Sequence, residues 1–124
     1  MLGDSRSFAS YSTNDVAKAR QFYGDTLGLE TNNDGGLLNI SLPGGGRLLI
    51  YPKADHQAAT FTVLNFAVDD LAGTVDELTA KGVRLERYEG FEHDERGIAA
   101  PQGGGPAIAW FKDPAGNILS VLQA

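Results

Sequence analysis

The sequence predicts an α+β fold built from one β-α-β-β-β unit used twice, and three observations carry that prediction. Apolar residues alternate with period two in several short runs. The spacing changes to threes and fours in only two places, each opened by capping oxygens and closed by a glycine. The second half of the chain then repeats the order of the first.

Residues 7–12 set Phe8, Ser10 and Ser12 against Ala9 and Tyr11, as a strand does. Thr13, Asn14 and Asp15 offer N-cap oxygens. Val16, Ala19, Phe22, Tyr23 and Leu27 follow at helical spacing, so one apolar stripe faces a core. Gly28 is expected to end this helix, because glycine takes the left-handed position after a helix without a steric penalty. Residues 30–32 are a short strand before the turn Asn33-Asp34-Gly35-Gly36. Residues 37–42 and 47–52 are the arms of a hairpin around Pro43-Gly44-Gly45-Gly46.

The pattern restarts with a strand at residues 62–68. Asp69 and Asp70 open a second helix with the stripe Leu71, Val75 and Leu78, and Lys81-Gly82 closes it. Strands follow at 83–88, 107–112 and 118–122, the last entered through Asp113-Pro114-Ala115-Gly116-Asn117. Residues 11–30 align with 66–86 through a single one-residue gap that pairs Asp15 with Asp70 and Gly28 with Gly82, as an internal duplication would. The expected organisation is a single domain over residues 1–124, with module one at about 5–53 and module two at about 61–124. The halves differ in one respect: residues 89–106 insert a long, charged, Gly-rich loop, and loops of that length are often functional.

Composition narrows the function. At 124 residues with 42% hydrophobic and 21% charged side chains, the chain can bury one core without staples. The absence of cysteine removes disulfides, Fe–S clusters, thiolate zinc sites and cysteine nucleophiles, and leaves two His with Asp and Glu as strong metal ligands. A net charge of −6 repels phosphate backbones and anionic membranes, so neither nucleic acid nor membrane is an expected partner. No apolar run approaches a membrane span, and residues 1–10 lack a charged stretch followed by an apolar one, so a cytoplasmic location is expected. The 16 glycines mark turns spread along the chain rather than a disordered tail.

Asp15-Val16 with Phe22-Tyr23 and Leu27-Gly28-Leu29, then Val68-Asp69-Asp70-Leu71, then Phe111-Lys112-Asp113-Pro114-Ala115-Gly116-Asn117 resemble the vicinal oxygen chelate superfamily, which includes glyoxalase I, extradiol dioxygenases and bleomycin-resistance proteins. Each motif alone is common, whereas the three in order on a duplicated frame are specific. The resemblance covers nearly the whole chain. It implies two βαβββ modules whose sheets curl into a cup, commonly assembled as a dimer.

Enzymes of that superfamily hold a divalent metal in the cup through His or Glu on the first and last strand of each module. Carried onto this sequence, the resemblance places those positions at Phe8, Leu49, Val63 and Ser120. None suits a hard divalent ion, and a shift of two residues supplies no His, Asp or Glu. No metal or other cofactor is therefore expected at the usual site. His56 beside Asp55 and His93 within Glu92-His93-Asp94-Glu95 could be ligands or general bases, against the plainer reading of solvated surface groups. Gly44 to Gly46 lacks a following Lys-Ser or Lys-Thr and so is a hairpin loop rather than a phosphate cradle. The sequon Asn39-Ile40-Ser41 falls on a predicted strand.

Alternation along the strands gives the cup its lining. Ala9 and Tyr11 are expected to face the helix, leaving Phe8, Ser10 and Ser12 for the cup, with Leu49 and Tyr51, with Val63, Asn65 and Ala67, and with Ser120 and Leu122. The phase of Trp110 is left open by the pattern. Phe8, Tyr51 and Trp110 would supply stacking surfaces, and Ser10, Asn65, Tyr51 or Ser120 the hydrogen bonds. The competing reading is that Phe8, Leu49 and Val63 fill the cup as core.

The leading expectation is a metal-independent small-molecule binding protein that holds an apolar or aromatic ligand, with sequestration or resistance as a role and a homodimer as its form. The alternative is a lyase, isomerase or dioxygenase of the glyoxalase type with a relocated or absent metal. A third is a non-catalytic partner acting through its dimer surface.

Overall fold

The structure is a computed structural model that spans residues 1–124 and divides into two compact units, Met1–Gln57 and Ala58–Ala124. Each unit opens its helix in the same way. Asp15 accepts the backbone N–H of Lys18 at 3.1 Å, and Asp70 that of Gly73 at 3.0 Å. Each carboxylate satisfies a donor that the first helical turn leaves without a partner and places negative charge at the positive helix end.

Behind Asp15 the chain forms α1 (Val16–Arg20), which widens into a π-helical turn at Gln21–Thr26. The expected helix is present, but its second half is not α-helical: Leu27 N–H bonds Phe22 O at 2.9 Å, five residues back. Tyr23 is fully buried there, its hydroxyl 2.7 Å from that of Tyr11, so Tyr11 does face the helix. Behind Asp70, α2 (Leu71–Ala80) buries Leu71, Val75 and Leu78. It ends as its glycine requires: Gly82 sits at φ +88°, its N–H bonds Thr79 O at 3.0 Å, and Val83 N–H bonds Leu78 O at 3.0 Å.

The first sheet contains β1 (Ala9–Thr13), β2 (Glu30–Asp34), β3 (Leu37–Ser41) and β4 (Arg47–Pro52) in the order β1-β4-β3-β2, with β1 parallel to β4. The second contains β5 (Thr62–Val68), β6 (Leu85–Glu86), β7 (Ile108–Lys112) and β8 (Ile118–Gln123) in the order β5-β8-β7-β6, with β5 parallel to β8. The two units thus share one topology. In each, one sheet face is core. Leu38 pairs with Ile50 and Ile40 with Leu48, while Ala109 pairs with Val121 and Phe111 with Leu119, and all eight are buried. Burying a side chain of the leucine or isoleucine kind contributes about 1.5–3 kcal/mol.

β2 runs on through Asn33 and Asp34, which were expected in the turn, because both pair with β3. Two other strands differ from expectation for identifiable reasons. The run 83–88 shrinks to Leu85–Glu86, because the N–H of Val83 closes α2 and that of Tyr88 goes to His93 Nε2 at 3.1 Å, so neither joins the ladder. The first strand starts at Ala9 and leaves Phe8 outside it, exposed, with the Arg47 guanidinium 4.6 Å from its ring centre. The insertion at 89–106 is partly ordered by Ala99, which is fully buried and bridges to both His93 and Ile108.

Candidate functional site

The register fixes which residues share the sheet face opposite each core. In the second unit Asn65 pairs with Ser120, Ser120 with Trp110, and Trp110 with Glu86, so one row crosses all four strands. This settles the phase of Trp110: it lies on the face of Asn65 and Ser120. Ser120 is buried and donates its hydroxyl proton to Asn65 Oδ1, giving a neutral polar pair.

Aromatic rings gather around Trp110. Tyr88 meets it edge-on at 5.4 Å between centroids, Phe91 at 5.0 Å and His93 at 6.2 Å. Such edge-to-face contacts each contribute about 0.5–1.5 kcal/mol beyond the area they bury. A cleft of about 170 Å³ opens beside them, lined by Thr60, Phe61, Thr62, Tyr88, Trp110 and Ile118. The Tyr88 hydroxyl is buried and has no hydrogen-bond partner. Burial, reinforced by the charge of Glu86, raises its pKa above the ordinary tyrosine value, so it stays an O–H donor at neutral pH.

Tyr88, Phe91 and His93 were not among the expected ligand-binding residues. They lie at the end of a shortened strand and in the insertion, where no periodicity applies. A partial signal was present, since Glu86 and Tyr88 share a strand phase and Glu86 pairs with Trp110.

In the first unit, Ser10 pairs with Leu49 and Ser12 with Tyr51, so these four share a face as the alternation requires. Phe8 precedes β1 and lies outside that register. A polar cleft of about 280 Å³ is lined by Ser12, Tyr51, Lys53, Asp55 and Gln57. His56 is only partly exposed, and its Nδ1 lies 2.7 Å from Ser12 Oγ, so the reading of a solvated loop histidine is corrected. Asp55 is bonded to Lys53, which holds its carboxyl below the usual range.

The positions that the resemblance assigns to metal ligands do not fit a divalent ion. Phe8, Leu49 and Val63 carry no donor atom, and the Ser120 hydroxyl proton is committed to Asn65. No three His, Asp or Glu side chains converge to hold one elsewhere. No helix is long and apolar enough to cross a membrane.

Residues 7–121 match the Glyoxalase/Bleomycin resistance protein/Dioxygenase superfamily, and the chain belongs to that family. Three solved structures show the same fold. The genomically encoded fosfomycin resistance protein FosX from Listeria monocytogenes is 13% identical, with a TM-score of 0.74 over 98% of this chain and 93% of that one. The bleomycin-binding protein complexed with bleomycin is 22% identical, with a TM-score of 0.69 over 97% of this chain and 98% of that one. An integron cassette protein from the mobile metagenome of the Halifax Harbour sewage outfall is 19% identical, with a TM-score of 0.70 over 97% and 99%. No curated protein sequence matches the chain.

Proposed function

We propose that this chain is a small-molecule binding protein that works without a metal and holds an apolar or aromatic ligand, with sequestration or resistance as its role. One observation carries the reading: Trp110, flanked by Tyr88 and Phe91, shares a sheet face with the neutral Asn65–Ser120 pair and opens onto a cleft. Flat apolar surface with a few fixed polar groups is how small-molecule sites are generally built. Within the first unit, considered by itself, Ser10, Tyr51 and the exposed ring of Phe8 are the ligand-contacting residues we assign. The bleomycin-binding protein, solved in complex with bleomycin, supports the same class of role. The working form is a cytoplasmic homodimer, in keeping with the superfamily resemblance and the chain's acidity and lack of cysteine.

The test combines metal analysis of the purified protein with a thermal-shift screen of aromatic compounds. A ligand at one hundred times its Kd adds about 2.7 kcal/mol, several degrees in a domain of this size. Stoichiometric metal, or binding abolished by a chelator, overturns the reading. Sedimentation tests the dimer.

The enzymatic alternative, a glyoxalase-type lyase, isomerase or dioxygenase with a relocated or absent metal, has one observation in its favour: His56 Nδ1 lies 2.7 Å from the hydroxyl of Ser12, a residue that lines a polar cleft. Turnover that His56→Gln eliminates would select it.

A further inference from the structure

We infer that the open sheet face of the second unit takes aromatic compounds that carry a hydrogen-bond acceptor, such as a carbonyl, at one end. The ring lies against Trp110, and the side-chain N–H₂ of Asn65 donates to the acceptor. This rests on the binding reading above and adds the polarity that the ligand must present.

Ser120 fixes which end of the Asn65 amide is on offer. The serine is fully buried, and its hydroxyl proton goes to Asn65 Oδ1. With the amide reversed, the hydroxyl would accept from N–H₂ and leave its own proton buried without a partner, which native structures avoid. The N–H₂ group is therefore turned away from Ser120. Asn65 is exposed, so both N–H bonds are open to whatever covers the face.

The same face joins this donor to the cleft. Ile118 precedes Ser120 by two residues on β8 and pairs with Thr62, so these two form the neighbouring row, and both line the cleft with Trp110. Residues two apart on a strand are about 7 Å apart, and adjacent strands about 4.8 Å. Asn65 thus stands one row from that part of the cleft lining and two strands, about 10 Å, from Trp110. A fused pair of rings with one short substituent covers that span. A ligand lying there strips water from the Asn65 N–H₂, and only an acceptor replaces the bonds lost.

The test uses two probes of one shape, 2-acetylnaphthalene and 2-isopropenylnaphthalene, which differ in a carbonyl oxygen against a methylene. The chain has one tryptophan, so the indole N–H resonance of Trp110 in the ¹⁵N-labelled protein is an unambiguous reporter. The expected result is that both probes shift it and that the ketone binds about five to ten times more tightly. Asn65→Asp keeps an acceptor for Ser120 and removes both donors, so the alkene should still bind and the preference for the ketone should disappear. In the wild-type chain the Asn65 side-chain N–H₂ resonances, assigned by their absence from the variant, should move downfield with the ketone alone. Equal binding of the two probes by the wild-type chain, N–H₂ resonances that the ketone leaves unmoved, or a preference that survives in Asn65→Asp overturns the inference and leaves the binding reading standing. No shift of Trp110 with either probe overturns the aromatic face itself, and the inference with it.

Discussion

The imidazole Nε2 of His93 accepts the backbone N–H of Tyr88 at 3.1 Å. That bond fixes the tautomer, so the proton is on Nδ1, which lies 2.9 Å from the carbonyl oxygen of Gly97 and donates to it. One side chain thus clamps the end of β6 to the far side of a tight loop and sets His93 and Phe91 against Trp110. Gly97 cannot be replaced freely, since it sits at φ +96° and a Cβ there would fall 2.8 Å from Leu85 Cβ.

His93→Ala removes both bonds and is expected to cost about 1–3 kcal/mol. Hydrogen exchange should show the loss locally, with the Tyr88 amide exchanging faster. An unchanged exchange rate at Tyr88 would show that the loop is held by Ala99 and its bridges alone.

Tyr88→Phe should stabilise the free protein by about 1–3 kcal/mol, since it deletes a buried hydroxyl that makes no bond. The effect should grow in alkali. A raised pKa means that the folded chain holds the phenolic proton more tightly than the unfolded one. Wild-type stability is therefore intact below the ordinary value of 10.0 and falls as pH rises beyond it through the folded-state value. Urea unfolding of both proteins on either side of that value checks the sign; a gap that narrows in alkali contradicts it.

The helix starts carry a coupled pair. Gly73 stands at the third helical position, where alanine ordinarily stabilises by up to ~1 kcal/mol. Here a Cβ would lie 2.3 Å from Asp70 Oδ2, so the capping carboxylate must move away. Losing the cap costs ~1 kcal/mol. Gly73→Ala should thus be near neutral in the wild type and stabilising in Asp70→Ala. Equal effects in both backgrounds would mean that the cap tolerates the methyl group.

What could be read in the sequence follows from how local the cause is. Asp15, Asp70 and Gly82 act within one turn of their own helices, so the duplication they mark was visible in the residues themselves. The shared face of Asn65 and Ser120 followed from strand alternation, which needs no knowledge of distant partners. Tyr88 and Phe91 were missed, and His93 was read as a solvated surface group, because their partners are supplied by loop closure. His56 was misread for the same reason: its partner Ser12 is 44 residues away. The π-helical turn over Gln21–Thr26 was hidden because a spacing of threes and fours reads the same whether the helix widens or not.

Asp113 gives the last test, because the turn it builds sets the entry into β8. Its Oδ1 accepts the N–H groups of Ala115 and Asn117 and its Oδ2 the side-chain amide of Asn117, each at 2.9 Å, and Asp113 and Asn117 are both buried. The ladder of β8 begins directly after, with Ile118 opposite Lys112, and two pairs further on places Ser120 opposite Trp110. Asp113→Ala takes the acceptor from three donors at once and should cost ~3 kcal/mol or more, a large share of a marginal stability. Asp113→Asn keeps Oδ1 but turns an amide N–H₂ toward that of Asn117, so it should cost less, about 1–3 kcal/mol. Because a slipped β8 would separate Ser120 from Asn65, ligand affinity should fall in the same order as stability. Urea midpoints and probe titrations of the two variants test both orders; an Asn variant as damaged as the Ala variant would mean that the carboxylate's charge, and not its acceptor geometry, holds the turn.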